Sequence, residues 1–255
     1  MIRLALAIAM LWLAALPARA ETVLADLSQS TVALTASFGG SEILVFGAIR
    51  RDVPVPPDAS PLQVIVTVEG PPQRLSVWRK GRRAGIWMNV EEVRIARAPS
   101  FYAVAATAPL ESTLSATEDL RHSVSVPRAI RSFGTMAMAD DAPRFLEALI
   151  RLRNEAGLFV STAGTVALTE ETLFRTTVDL PANLVEGTYR VRVVLTRGGQ
   201  VLDIHHTSIA VGKAGLDLWL YTLSYQQPFA YGLLAVALAV LAGWGASAAF
   251  GLLRR

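Results

Sequence analysis

The side chains that could bind a metal ion are few and widely spaced in this sequence. His205 and His206 are adjacent in a segment typical of a β-strand, so their rings should point to opposite faces and cannot easily share one ion. His122 is the third and last histidine. Met136 and Met138 supply a pair of thioether sulfurs, which are ligands that select Cu(I). Two interpretations stay open: a copper or histidine site built from these residues, and methionines that simply pack in a loop or at a helix start.

A cluster of positive charge offers a second kind of chemistry. Arg79-Lys80-Gly81-Arg82-Arg83 places four cationic side chains within five residues. The segments 75–80 and 86–90 on either side predict a β-hairpin with this cluster at or near its tip. Such a cluster could bind an anion, lipid headgroups or an acidic partner. A solvated hairpin tip without a ligand is the alternative interpretation.

The sequence contains no common catalytic signature. The Gly-x-Ser-x-Gly elbow, the His-Glu-x-x-His metal pair, the Walker loop and the Gly-x-Gly-x-x-Gly fingerprint are all missing. The chain has no cysteine, which excludes disulfides, thiolate metal sites and cysteine nucleophiles. We therefore expect a protein that is not an enzyme and has no cofactor.

The charge balance argues against nucleic acid as a partner. The chain carries 24 Lys and Arg residues and 21 Asp and Glu residues. Four of the basic residues, Arg3, Arg19, Arg254 and Arg255, lie in the terminal segments. The remaining 20 basic residues face 21 acidic ones between positions 21 and 227, so a general basic footprint is absent.

The stretch 229–253 is long and apolar enough to be a membrane anchor. Its 25 residues carry no charge and are followed at once by Arg254 and Arg255. At ~1.5 Å per residue, a helix of this length exceeds a hydrocarbon core of ~30 Å. We assign 228–253 to a transmembrane helix and 254–255 to a cytoplasmic tail, in agreement with the positive-inside rule.

Small side chains recur every four residues along this helix and predict a helix-packing face. Trp244 lies near the middle of the span, whereas tryptophan is usually enriched at the membrane interface. The alternative is chance, because alanine is abundant in such helices. The predicted packing residues are Ala235, Ala239, Gly243, Trp244, Ser247 and Gly251.

The N-terminus predicts an export signal. Residues 1–20 contain an early arginine, an apolar run over 4–16, and the small-x-small site Ala18-Arg19-Ala20, so cleavage is expected after Ala20. An uncleaved N-terminal anchor is the alternative. Export would place everything between residue 21 and the membrane helix outside the cytoplasm.

The exported part reads as mainly β, with immunoglobulin-like β-sandwich portions over 21–108 and 158–212 and a helical insertion over 109–157. Whether the two portions form one sandwich or two is open. The segment 213–227, with Trp219 and Tyr221, is expected to lie at the membrane interface. Strands are predicted at 31–36, 43–49, 62–69, 75–80, 86–90, 93–97, 101–106, 158–161, 165–168, 173–180, 188–196 and 201–211, and helices at 110–122 and 142–156.

Several blocks resemble a known family. Ala84-Gly85-Ile86-Trp87-Met88-Asn89 and Pro99-Ser100-Phe101-Tyr102-Ala103-Val104, with the helix at 145–157 and the segment 179–189, resemble the putative transmembrane proteins of alphaproteobacteria. The likeness covers nearly all of the mature chain. It implies a bacterial inner-membrane protein with a periplasmic domain, and it transfers no catalytic residues.

Two functions therefore compete. The first is a non-enzymatic accessory or interaction subunit of a membrane complex of the transport type, in which the helix packs against a polytopic partner or a second copy. The alternative is a membrane-tethered periplasmic protein that binds a ligand or copper. The lipid bilayer is a partner in both, and a tethered hydrolase has no motif to support it.

Overall fold

The computed structural model describes residues 21–35, 38–52, 58–133, 142–213 and 223–253. Within them the chain is mainly β, as predicted, with a few helices and one long apolar helix near the C-terminus. The predicted signal at 1–20, the tail at 254–255 and residues 214–222 of the interfacial segment lie outside the described residues.

The elements, numbered in chain order, are β1 (Glu21–Leu27), β2 (Thr31–Leu34), β3 (Ser41–Arg51), β4 (Leu62–Glu69), β5 (Pro72–Arg83), β6 (Ile86–Pro99), β7 (Tyr102–Ala106), α1 (Leu110–Thr113), α2 (Ala116–His122), α3 (Val126–Phe133), α4 (Ala142–Glu155), β8 (Phe159–Ala163), β9 (Ala167–Thr169), β10 (Leu173–Leu180), β11 (Gly187–Arg197), β12 (Gln200–Lys213) and α5 (Pro228–Leu253).

Two sheets share the hydrophobic core. The four-stranded sheet has the order β1-β3-β10-β9, and the six-stranded sheet has the order β2-β12-β11-β4-β7-β8. Each sheet contains strands from both sides of the helical insertion, so the two predicted β portions form one two-sheet unit. The β2–β12 and β7–β8 pairs are parallel. The sheets of an immunoglobulin domain are antiparallel, unlike these two pairs, so the immunoglobulin-like fold stays a prediction.

The burial of each strand follows from its residue pattern. β10 alternates strictly between exposed and buried positions, because one of its faces is open to solvent. β4 is buried at seven of its eight positions, as expected for a central strand covered on both faces. Tyr189, Val191 and Val193 of β11 are fully buried, which confirms the prediction that these three side chains face the core.

The helical insertion lies between β7 and β8. The predicted helical segment 110–122 forms the two short helices α1 and α2, and Ser115 caps α2 by accepting a hydrogen bond from the Glu118 amide at 3.3 Å. The helix α3 was not predicted. On α4 the buried stripe contains Phe145, Leu146 and Leu149.

The β5–β6 hairpin continues the β4–β7 ladder beyond the sheet. Glu69 pairs with Tyr102, Gly70 donates to the Phe101 carbonyl at 2.8 Å, and Pro72 pairs with Pro99. Gly70 is required at this exit, since a methyl group there would lie 2.5 Å from Ser100 Oγ and 2.9 Å from the Tyr189 ring. At ~3.3 Å per residue, the twelve residues of β5 make a ribbon about 40 Å long.

The hairpin leaves the six-stranded sheet at the same end as the chain that leads to α5. Glu69 at the end of β4 pairs with Arg190 near the start of β11. Gly187, the first residue of β11, pairs with Val211 near the end of β12. The C-terminal ends of β4 and β12 therefore lie at the same end of the six-stranded sheet.

Candidate interaction surfaces

The tip of the hairpin exposes a contiguous group of large apolar side chains. Ile86 is 70% exposed, Trp87 68% and Met88 50%. The strands are joined through Ala84 and Gly85, whose positive φ angles of 48° and 84° make a narrow two-residue turn with the twist of a type I′ hairpin. Three adjacent large side chains in solvent form the kind of surface that usually has a binding partner.

Cationic side chains surround this apolar tip. Arg83 pairs with Ile86 across the ladder, and Arg82 pairs with Trp87. Cross-strand partners share a face, so each guanidinium emerges beside an apolar neighbour. Arg82 Nε donates to the Gly85 carbonyl at 3.3 Å, which steadies the side chain without neutralising its charge.

A surface cavity of about 260 Å³ lies between the hairpin and α4. Arg79 and Lys80 line it from β5, and Arg144 and Arg151 line it from α4. Arg79 also pairs with Glu91 at 2.7 Å. The remaining lining is apolar and consists of Val77, Trp78, Phe145 and Ala148. Four cations over an apolar floor suit an amphipathic anion. The sequence indicated the two β5 cations, but only the fold brings those of α4 beside them.

The open face of the four-stranded sheet carries a second apolar surface. Leu24, Ala48 and Leu173 lie in one register row across β1, β3 and β10, and Phe46 lies two residues along β3 on the same face. Leu24 is 55% exposed, Leu173 56% and Phe46 41%. We call these four residues the sheet-face patch. Sequence reasoning missed it because β1 was not predicted and because the row joins three distant strands.

The predicted metal ligands are not brought together among the described residues. His205 pairs with Val193 and His206 with Arg192, so the two rings lie on opposite faces of β12. His122 Nε2 lies 3.4 Å from Glu118 Oε2 on its own helix. No group of three or more His, Cys, Asp or Glu side chains in the described ranges could hold a metal ion. Met136 and Met138 lie outside those ranges, so their part in the copper hypothesis stays a prediction.

A polar network on the outer face of the six-stranded sheet joins the helical insertion to β11. Arg192 donates to the carbonyl oxygens of His122 at 2.9 Å and Ser123 at 3.2 Å, at the C-terminal end of α2. It also donates to the Tyr102 hydroxyl at 3.1 Å, which in turn donates to the Val124 carbonyl at 2.8 Å. Burial raises the pKa of Tyr102 to about 12, although the nearby Arg192 charge acts in the opposite direction. The network ties α2 to the sheet, and its phenol stays neutral.

The helix α5 is long and apolar enough to cross a membrane, and no part of its span over Pro228–Ala246 is buried by the rest of the described chain. A methyl group at Gly243 would meet no atom within 4 Å, and Trp244 is 72% exposed. Trp244 lies about 5 Å along the axis from the helix midpoint. The predicted packing role of the small residues Ala235, Ala239, Gly243, Ser247 and Gly251 stays a prediction.

Comparison with a family profile identifies the family of this chain. Among curated proteins, none matches the chain. A family profile described as "Putative transmembrane protein (Alph_Pro_TM)" matches residues 22–251. The match includes both sheets, the hairpin, the helical insertion and nearly all of α5. The chain therefore belongs to this family of transmembrane proteins.

Proposed function

We propose that the protein is a single-pass inner-membrane protein whose β domain lies in the periplasm and serves as a non-enzymatic accessory subunit of a membrane complex, of the transport type. The observation that carries this proposal is the sheet-face patch. The patch is an exposed apolar surface on a domain that already has a packed hydrophobic core. Contiguous exposed apolar patches, especially those with a polar rim, mark protein–protein or membrane interaction sites.

The surroundings of the sheet-face patch resemble those of an interface. Asp26 and Arg175 pair with Phe46 across the ladder and lie at the edge of the apolar row. An apolar centre with charged residues at its rim is the usual anatomy of a protein–protein contact. On the opposite face of the same strands Val23, Val45 and Phe174 are buried in the core, so the patch is not the result of a misplaced register.

The membrane helix supports the same proposal. A glycine at 243 with open space around it allows a partner helix to approach its backbone closely. The indole N–H of Trp244 would be without a hydrogen-bond partner in hydrocarbon, and a neighbouring helix can supply one. Both features are expected of a helix that packs against another membrane protein.

The orientation rests on the two ends of the chain. Residues 1–20 have the sequence pattern of an export signal with a small-x-small site that ends at Ala20. At the other end Arg254 and Arg255 follow α5, which favours a cytoplasmic C-terminus. These observations support export of the β domain.

The test is crosslinking of the full-length protein in its own membranes, followed by purification and identification of captured proteins. The double variant Gly243→Leu with Ser247→Leu should lower capture of the partner at least tenfold without lowering membrane insertion. Gly245→Leu is the matched control, because a side chain there also meets no atom of this chain within 4 Å.

A second pair of variants tests the domain surface. Leu24→Ser with Leu173→Ser should also weaken capture, while the fold is retained because both side chains are more than half exposed. Unchanged capture with both double variants would contradict the accessory role. If a second copy of this chain is the only protein captured, the accessory role is wrong and the helix mediates self-association.

A further inference from the structure

We propose that the tip of the β5–β6 hairpin, residues 79–90, docks on the anionic surface of the bilayer that holds α5. Ile86, Trp87 and Met88 enter the headgroup region, and the cations around them contact lipid phosphates. This inference depends on α5 spanning the bilayer and does not depend on the accessory role.

The apolar part of the tip matches the membrane interface. Ile86, Trp87 and Met88 are the first three residues of β6 after a two-residue turn, with Trp87 on the face opposite to Ile86 and Met88, so they form a narrow wedge and not a broad plane. Tryptophan is enriched at the headgroup level, where its ring is sheltered and its N–H stays hydrated. A wedge of this size reaches the boundary between headgroups and acyl chains without requiring the backbone to enter hydrocarbon.

The charge of the tip selects an anionic surface. The segment 78–92 carries four cationic side chains against the two carboxylates Glu91 and Glu92. Glu91 pairs with Arg79 at 2.7 Å, and Glu92 pairs with Arg94 at 2.9 Å. Lys80, Arg82 and Arg83 therefore supply the excess positive charge, next to the apolar wedge. Arg144 and Arg151 of α4 extend the same field around the cavity.

The base of the hairpin is fixed, so the tip keeps its position relative to the domain. Val77 of β5 and Val93 and Ile95 of β6 are buried. α3 packs against β6 and α4 against β5. Beyond Trp78 both faces of the ribbon are exposed. A supported base with a bare end is the arrangement expected of a docking element.

The direction of the hairpin agrees with a contact at the membrane. It leaves the six-stranded sheet at the end where β12 also ends, and β12 leads to α5. The fifteen residue steps from Lys213 to Pro228 span at most ~50 Å. That end of the sheet therefore lies within about 50 Å of the bilayer surface. A ribbon about 40 Å long reaches the surface from most of that range.

A second copy of the chain is a less suitable occupant. Two tips meeting each other would bring their cations together, and like charges at close range oppose association. A bilayer that contains anionic lipids has the opposite charge and is already present beside the domain. The charge complementarity therefore selects the bilayer.

The test uses the full-length protein in lipid nanodiscs. The chain has no native cysteine, so Met88→Cys can carry a single environment-sensitive fluorophore. In discs with about one third phosphatidylglycerol we expect a blue-shifted emission that is quenched by nitroxide-labelled lipid. The same probe in discs of phosphatidylcholine alone should report water. Gln200→Cys, at the other end of the six-stranded sheet, is the control position and should report water in both.

The charge dependence is tested in the same discs. Each basic residue near an anionic surface contributes about fivefold to association, so Arg82→Gln with Arg83→Gln should lower the docked-to-undocked ratio more than tenfold. Raising the salt concentration should also lower the docked-to-undocked ratio. Arg50→Gln with Arg175→Gln removes the same charge from exposed positions on the four-stranded sheet and should change nothing.

Three results would overturn the proposal. An unquenched probe at position 88 in anionic discs would mean that the tip stays in water. Equal quenching in neutral and anionic discs would remove the role of the cations. A probe at position 88 that is shielded from water in every lipid, together with disulfide-linked dimers of unlabelled Met88→Cys, would show that the tip contacts a second copy of the chain.

Discussion

Replacing Glu21 with glutamine should lower the stability of the β domain. Glu21 is the first residue of β1, and its side chain is 6% exposed. Arg51 Nε and Arg197 Nη2 both donate to Glu21 Oε1, at 3.1 and 2.6 Å. β1 and β3 belong to the four-stranded sheet and β11 to the six-stranded sheet, so this one carboxylate joins the two sheets.

The size of the effect follows from what each arginine retains. Removing one partner of a buried ion pair typically costs about 3–5 kcal/mol of unfolding free energy, and this range is the upper limit for Glu21→Gln. Arg51 keeps Glu171 Oε2 at 2.7 Å, and the glutamine oxygen can still accept one hydrogen bond. Arg197 is largely buried and loses its carboxylate. We therefore expect a loss of about 2–3 kcal/mol in the unfolding free energy, or about 5–10 °C in Tm for a domain of this size.

The measurement is thermal unfolding of the full-length protein in detergent, monitored by the circular dichroism signal of the β domain. Glu42→Gln, an exposed carboxylate on β3, is the matched control and should stay within about 0.5 kcal/mol of the unmodified protein. A Tm for Glu21→Gln within 2 °C of that control would refute the claim that Glu21 joins the sheets. A double-mutant cycle with Arg197→Met should give a coupling of at least about 1 kcal/mol.

Two further predictions concern pH and processing. The pKa of Tyr102 is raised to about 12 from 10.0, so the folded domain holds the phenol proton more tightly and should lose about 2 kcal/mol of unfolding free energy as the pH rises from 10 to 12. Tyr102→Phe should remove that part of the alkaline loss in urea unfolding series, and identical slopes would contradict it. Intact-mass analysis of the protein from membranes should give a chain that begins at Glu21, whereas a mass that includes residues 1–20 would contradict cleavage.

Strands with a regular pattern could be predicted from the sequence, and strands stabilised by distant charges could not. β10 and β11 alternate because one face meets the core, and β4 is a continuous apolar run. β1 carries Glu21 and Asp26 and has no such regularity. Its first carboxylate becomes compatible with burial only when Arg51 and Arg197 are brought beside it by the fold. α3 was missed because its eight residues make only about two turns, too short for a clear helical period, although Pro127 is acceptable in a first turn.

The interaction surfaces were only partly predictable for a related reason. The cluster Arg79–Arg83 is local, and its position near a hairpin tip follows from the flanking strands. A period of two cannot distinguish a strand inside a sheet from a ribbon that projects beyond it, so the exposure of Ile86 and Trp87 was not foreseen. Arg144 lies more than sixty residues from Lys80 in sequence, and the same is true of Leu24 and Leu173 in the sheet-face patch. Nothing local marks those partners.

The two proposed surfaces are linked by the geometry of the sheets. The fifteen residue steps between β12 and α5 limit the distance from the domain to the membrane to ~50 Å, but this limit does not by itself fix the orientation of the domain. Docking of the hairpin tip adds a second point of contact at the same end of the six-stranded sheet and turns its strands toward the bilayer. In aligned sheet packing the strands of the two sheets lie within about 30° of each other, and in that arrangement the four-stranded sheet stands roughly upright as well. Its open face, with Leu24, Phe46 and Leu173, is presented sideways along the membrane, where a neighbouring membrane protein would meet it. In the proposed arrangement, docking of the hairpin on lipid orients the surface that binds the partner, so we expect variants that abolish docking to weaken partner capture as well.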